Sequence, residues 1–205
     1  VFVGDHGEGF GEPTAIPEEP PAVSHRIGTH DSMYHVPLVV RAPGQREGHR
    51  VTDLATLSRF PDAVRAMALG DGNADGPAFA SPNGTVVASQ APIGPAMREE
   101  AERVCGDAAP FAKHARLVYH DRPGDEVRKR AAWGDSAHES VIKGCGGTVE
   151  DRDIDAAVVR NHFDSDRYAD VAIATPLDGY TEFEDASDTQ FAGDLDDRLE
   201  ALGYK

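Results

Sequence analysis

Asp5 and His6 stand side by side directly after the apolar run Val1-Phe2-Val3 and Gly4. Two of those three apolar residues are β-branched, so the run reads as the end of a buried strand. In an open α/β sheet, ligands collect at the carboxyl ends of the strands. There an Asp and a His offer a carboxylate oxygen and an imidazole nitrogen to one metal ion. Gly7, Gly9 and Gly11 follow, where the backbone must turn. On spacing alone, such a pair is more often a turn that carries a satisfied histidine. Gly7-Glu8-Gly9-Phe10-Gly11 lacks the spacing of a dinucleotide loop, and Glu8 would repel a pyrophosphate.

The residues downstream give this pair its meaning. Val3-Gly4-Asp5-His6-Gly7-Glu8 and Gly11-Glu12 precede a polar insert and then His25. Tyr34-His35-Val36-Pro37-Leu38-Val39-Val40-Arg41-Ala42-Pro43-Gly44 comes next, and Val51-Thr52-Asp53-Leu54-Ala55-Thr56-Leu57 leads to Phe60-Pro61. This ordered set resembles the sulfatase family, within the alkaline-phosphatase-like superfamily of metal-dependent hydrolases. The resemblance is dense over residues 1–70, faint at the closing Leu199–Lys205, and without a motif between.

The resemblance implies a metal site at Asp5 and His6 and a substrate-contacting residue at His25, which would neutralise the anionic group as the ester bond breaks. Arg26 takes that role if the match slips by one. The implied ion is divalent, calcium first, with manganese or zinc as alternatives because His6 is a softer ligand than oxygen. The implied partner is a small anionic ester. Sulfate-ester hydrolysis is the leading activity, and a phosphoesterase or phosphonate-ester hydrolase of the same superfamily is the alternative. Family members carry the nucleophile and further carboxylates upstream of the Asp-His-Gly strand. Val1 opens inside that strand, so the expectation is a C-terminal portion that catalyses little by itself. Two rival classes stand beside it: a non-catalytic remnant that binds a partner, and an unrelated acidic metal-binding protein.

Composition narrows the partners. Among 205 residues, 36 acidic side chains oppose 20 basic ones, a net charge of −16, which disfavours nucleic acid and anionic membrane. Only Lys113, Lys129, Lys143 and Lys205 are lysines. Acidic excess with arginine over lysine fits a high-salt cytoplasm such as that of a halophilic archaeon, where salt screens the repulsion. The plainer alternative is an acidic protein from a GC-rich genome. Cys105 and Cys145 form neither a CxxC nor a disulfide framework and read as inert thiols. No apolar run reaches membrane-spanning length, and the expected location is cytoplasmic.

The elements that would position the site follow from pattern. The fold class that the resemblance implies is α/β: the C-terminal part of an alkaline-phosphatase-like, mostly parallel sheet with flanking helices over residues 1–77, then a small α+β subdomain with an antiparallel sheet over 78–205. Residues 12–24, with four prolines, read as an extended surface loop. Asp31 and Ser32 would cap a short helix, and His35 would be structural. Leu38–Arg41 reads as a strand buried on both faces. A helix is expected over 61–69, where Val64, Met67 and Ala68 recur at near-helical intervals, closed by Gly70. Gly70 to Ala78 reads as a loop at the subdomain boundary. Thr85–Ser89 is an expected strand, and Pro95–Cys105 an amphipathic helix with Met97, Ala101 and Val104 inward. Arg116–His120 and Val127–Trp133 should pair as a hairpin. Asp153–His162 reads as a helix with His162 and Asp164 on its surface, and an acidic segment leads to a final helix begun by Asp194.

Overall fold

The computed structural model of the chain describes residues 1–25, 27–69, 79–81, 83–143 and 147–163. In chain order these form β1 (Phe2–Val3), β2 (Gly9–Glu12), β3 (Ala22–Ser24), α1 (Asp31–Tyr34), β4 (Leu38–Val39), α2 (Phe60–Leu69), β5 (Thr85–Gln90) and α3 (Pro95–Cys105). Then come β6 (Ala115–Arg122), β7 (Glu126–Trp133), β8 (Ser136–Lys143), β9 (Gly147–Asp155) and α4 (Ala156–Phe163). Helix and strand are mixed, and the main sheet is antiparallel.

That sheet is a five-stranded meander in the order β5-β6-β7-β8-β9. Side chains alternate across a strand, so Leu117 and Val118 point to opposite faces of it. Both are fully buried because both faces are covered. On one face Val118, Ala132 and Ala137 meet Ala156, Val159 and Phe163 of α4. On the other, Ala115, Leu117, Ala131 and Trp133 meet Ile16, from the proline-rich loop near the amino terminus. The small alanines in β7 and β8 let the covering elements approach closely.

The expected hairpin forms, with Leu117 opposite Ala131 and Tyr119 opposite Lys129. The strand at 85 and the helix over Pro95–Cys105 also form as read. The mostly parallel sheet does not appear: every described strand pairing is antiparallel. β1 pairs with β4 across two residues, Phe2 opposite Val39, and both remain exposed. Leu38–Val40 is therefore not a strand buried on both faces. Pro37 and Pro43 bracket it, and Pro37 contributes only its carbonyl, to the Gly4 amide.

Other differences are local. Residues 12–24 are not simply an extended loop, because β2 and β3 close them into an antiparallel ribbon. The α1 cap is His30, whose Nδ1 accepts from the Ser32 amide, which frees the Asp31 carboxylate for tertiary contacts. The exposed His35 closes that helix through its backbone. In α2 the buried residue is Ala63, while Val64 is exposed. In α3 no residue is buried and Val104 is 65% exposed, so its apolar stripe faces outward at that end. Pairing with β8 carries β9 through Asp155, and the helix expected from Asp153 starts at Ala156 with the Asp155 carboxylate accepting from the Ala157 amide.

Arg26, Gly70 to Ala78, Cys145, Asp164 and the acidic carboxyl-terminal segment lie outside the described residues. Cys105 ends α3 and is an exposed free thiol. No helix among the described residues is long and apolar enough to cross a membrane.

Candidate metal centre

The site is built by two backbone devices, and each depends on a glycine. The Gly7 amide donates to the Met33 carbonyl at 2.9 Å and the Glu8 amide to the Ser32 carbonyl at 3.1 Å. A β-carbon on Gly7 would stand 1.8 Å from the Ser32 oxygen, so only glycine permits this approach to α1. The chain then enters β2, where Gly9 pairs with Ser24 of β3. A β-carbon on Gly9 would stand 2.7 Å from the Ala22 carbonyl.

With Gly9 opposite Ser24, the next residues outward are Glu8 and His25. Their side chains meet, His25 Nδ1 lying 3.2 Å from Glu8 Oε2. His6 completes the group by stacking its ring on that of His25, with centroids 4.1 Å apart and planes 26° from parallel. One ligand atom from each of His6, Glu8 and His25 lies within 4.8 Å of the other two. All three side chains remain partly open to solvent.

Hydrogen bonds prepare the imidazoles. The His6 Nδ1 lies 2.9 Å from the Gly7 carbonyl, which can only accept, so Nδ1 carries the proton and Nε2 the lone pair. His25 Nδ1 also lies 3.5 Å from the Ser24 hydroxyl. Gln90 Nε2 donates to the His25 carbonyl at 3.0 Å, tying the ribbon to β5.

Beneath the ribbon lies a polar support. Glu19 is buried and accepts from both the amide and the hydroxyl of Thr29. Burial pushes its carboxyl up, against the Thr29 hydrogen bonds and the Lys129 charge. Lys129, on β7, donates to the Thr29 carbonyl at 2.7 Å and sits 2.8 Å from Asp31 Oδ1. Tyr119 donates to the same oxygen at 2.8 Å. Burial, with the Asp31 charge, holds the Tyr119 phenol well above its ordinary range. Tyr34 donates to the Gly28 carbonyl, and burial raises its phenol too. The site thus rests on a neutral-hydroxyl and paired-charge platform.

Of the residues singled out from sequence, His6 and His25 come together. Asp5 stands beside them on the solvent side: its carboxylate accepts from the His6 amide, and its Oδ1 is 3.8 Å from His6 Nε2. Glu8 was not anticipated as a ligand. Its signal was the hairpin register, which becomes visible only once Gly9 and Ser24 are known to pair. His30 and His35 remain with α1 as capping residues.

Two imidazole nitrogens and one carboxylate oxygen are donor types that could hold a divalent transition ion. Compared with known proteins, the chain matches no family, no curated protein and no solved structure.

Proposed function

We propose that His6, Glu8 and His25 hold a divalent metal ion, and that this centre serves hydrolysis of a small anionic ester, sulfate esters before phosphate or phosphonate esters. The observation that carries the proposal is the convergence of the three side chains, with ligand atoms within 4.8 Å of one another. The ester chemistry rests on the sulfatase-like order of Asp5-His6-Gly7-Glu8, His25 and the segment from Tyr34 to Gly44.

The donor set favours zinc or manganese over calcium, since calcium takes six to eight oxygen ligands. A bound ion supplies Lewis acidity toward the ester oxygens and lowers the pKa of a coordinated water. The protein's own part is to fix the His6 tautomer through the Gly7 carbonyl, and to hold the ribbon on the platform described above. Asp5, exposed beside His6, is placed to join the ligand set or to accept a proton from water.

Calorimetric titration of the chain with zinc, manganese and calcium tests the centre. His6→Ala, Glu8→Gln and His25→Ala should each weaken zinc binding by about tenfold or more. Calcium binding stronger than zinc, or zinc binding unchanged in all three variants, would remove the assignment. His25 separates the two roles it could hold. Loss of metal affinity in His25→Ala makes it a ligand, whereas intact affinity with weakened binding of an aryl sulfate to the zinc-loaded chain makes it the anion-contacting residue.

A further inference from the structure

Past the end of α4, the sheet face it covers changes from apolar to charged. The register aligns Arg130, Glu139 and Arg152 in one row across β7, β8 and β9. Arg128, two residues before Arg130, projects from the same face. Glu139 is almost fully buried, and both its oxygens are taken. Oε2 accepts from Arg130 Nε at 2.6 Å, and Oε1 accepts from Arg152 Nε at 3.0 Å. Burial would raise the Glu139 carboxyl, but the bonds from Arg130 and Arg152 prevail and hold it below the ordinary range, so it is ionised.

Arg128 is the surplus group. Its Nε is 3.8 Å from Glu139 Oε2, is sequestered from solvent, and has no hydrogen-bond acceptor among the described residues. Three guanidinium groups therefore face one carboxylate, on a chain whose net charge is −16. A network serving stability alone would match its charges, because a buried donor without an acceptor costs about 1–3 kcal/mol. A shallow cavity opens here, lined by Arg128, Glu139, Val141, Glu150, Asp151 and Arg152. Its two further carboxylates are engaged elsewhere, Glu150 with Arg122 at 3.8 Å and Asp151 with His138.

We propose that Arg128, backed by Arg130 and Arg152, binds a tetrahedral oxyanion, phosphate or sulfate, either free or as the terminal group of a larger molecule. The planar guanidinium fork matches such an oxyanion in two-point fashion. This site is distinct from the metal centre: it lies on the α4 side of the sheet, whereas Ile16, from the loop between β2 and β3, packs on the other side.

The test is calorimetric titration of the chelator-treated, full 205-residue chain with inorganic phosphate, sulfate and glycerol phosphate at low ionic strength. Saturable one-to-one binding with Kd on the order of 1 mM or tighter is expected. Arg128→Ala should weaken it about tenfold or more, Arg128→Lys should weaken it less, and Glu150→Gln should tighten it. His6→Ala and His25→Ala should bind as the unaltered chain does, which separates this site from the metal centre. Glycerol phosphate binding as well as phosphate identifies a terminal group as ligand, and phosphate binding alone identifies the free ion. Trp133 fluorescence checks folding, and if Arg128→Ala is unfolded, Arg128→Lys and Glu150→Gln decide. Absence of saturation by about 10 mM, or affinity indifferent to Arg128 and Glu150, overturns the proposal.

Discussion

Ile16 joins the proline-rich loop to the far sheet face, and its truncation tests whether that contact holds the metal centre in place. Ile16 is 2% exposed, among Ala115, Leu117, Ala131 and Trp133. Ile16→Ala removes three carbons from this cluster, and such changes cost about 2–5 kcal/mol according to how far the site can collapse. The loop between β2 and β3 lies over the cluster rather than within a regular element, so it can settle partly into the space. The lower half of the range, about 2–3 kcal/mol, is therefore expected. Against a total stability on the order of 5–15 kcal/mol, this is a large fraction. For a chain of this size the Tm should fall by roughly 5–10 °C. Trp133, the single tryptophan, lies in the same cluster, so urea unfolding followed by its emission reads the effect directly. Because His25 immediately follows β3, zinc affinity should fall as well. A stability change below about 0.5 kcal/mol, with Trp133 emission unmoved, would refute the packing argument.

The remaining predictions follow from single contacts. Gly9→Ala should disrupt the ribbon, since its β-carbon would meet the Ala22 carbonyl at 2.7 Å; zinc binding should be lost while the far-UV spectrum of the main sheet persists. Glu19 has a raised carboxyl, so the folded chain binds its proton more tightly than the unfolded chain does. Its contribution to stability is full below the ordinary glutamate value of 4.5 and is lost as pH rises through the folded value. Glu19→Gln should therefore flatten that part of the pH–stability curve and stabilise the chain at pH 7; equal slopes for the two proteins between pH 4 and 7 would count against it. Zinc at about a hundredfold over Kd should add roughly 2.7 kcal/mol to stability, and at the same zinc concentration His25→Ala should cut the gain to about 1.4 kcal/mol or less.

Much of the second half of the chain was legible from pattern. The turn at Pro123-Gly124 between two β-rich runs defined the β6–β7 hairpin, and Pro95 with Gly106 bounded α3 to the residue. These features are local: a turn type, a first-turn proline and a left-handed cap require nothing from distant sequence. The inward face of α3 holds at the half-buried Met97 and Ala101 but not at Val104, because hydrophobic spacing tells which residues share a face, not how far along it anything covers it. The start of α4 was placed too early because Asp153 to Asp155 suits a helix start, while pairing with β8 keeps those residues extended.

The candidate site divides in the same way. Residue types drew attention to Asp5 and His6, and the resemblance in residue order added His25. Only the fold decided that Glu8 stands at His25, that Asp5 stands outward, and that every described pairing is antiparallel. The reason is physical. A ligand set is a matter of distances between residues far apart in the chain, and those distances depend on strand register. Register here is set by Gly9 against Ser24 and by Ile16 in a core formed more than a hundred residues later, which no local propensity encodes.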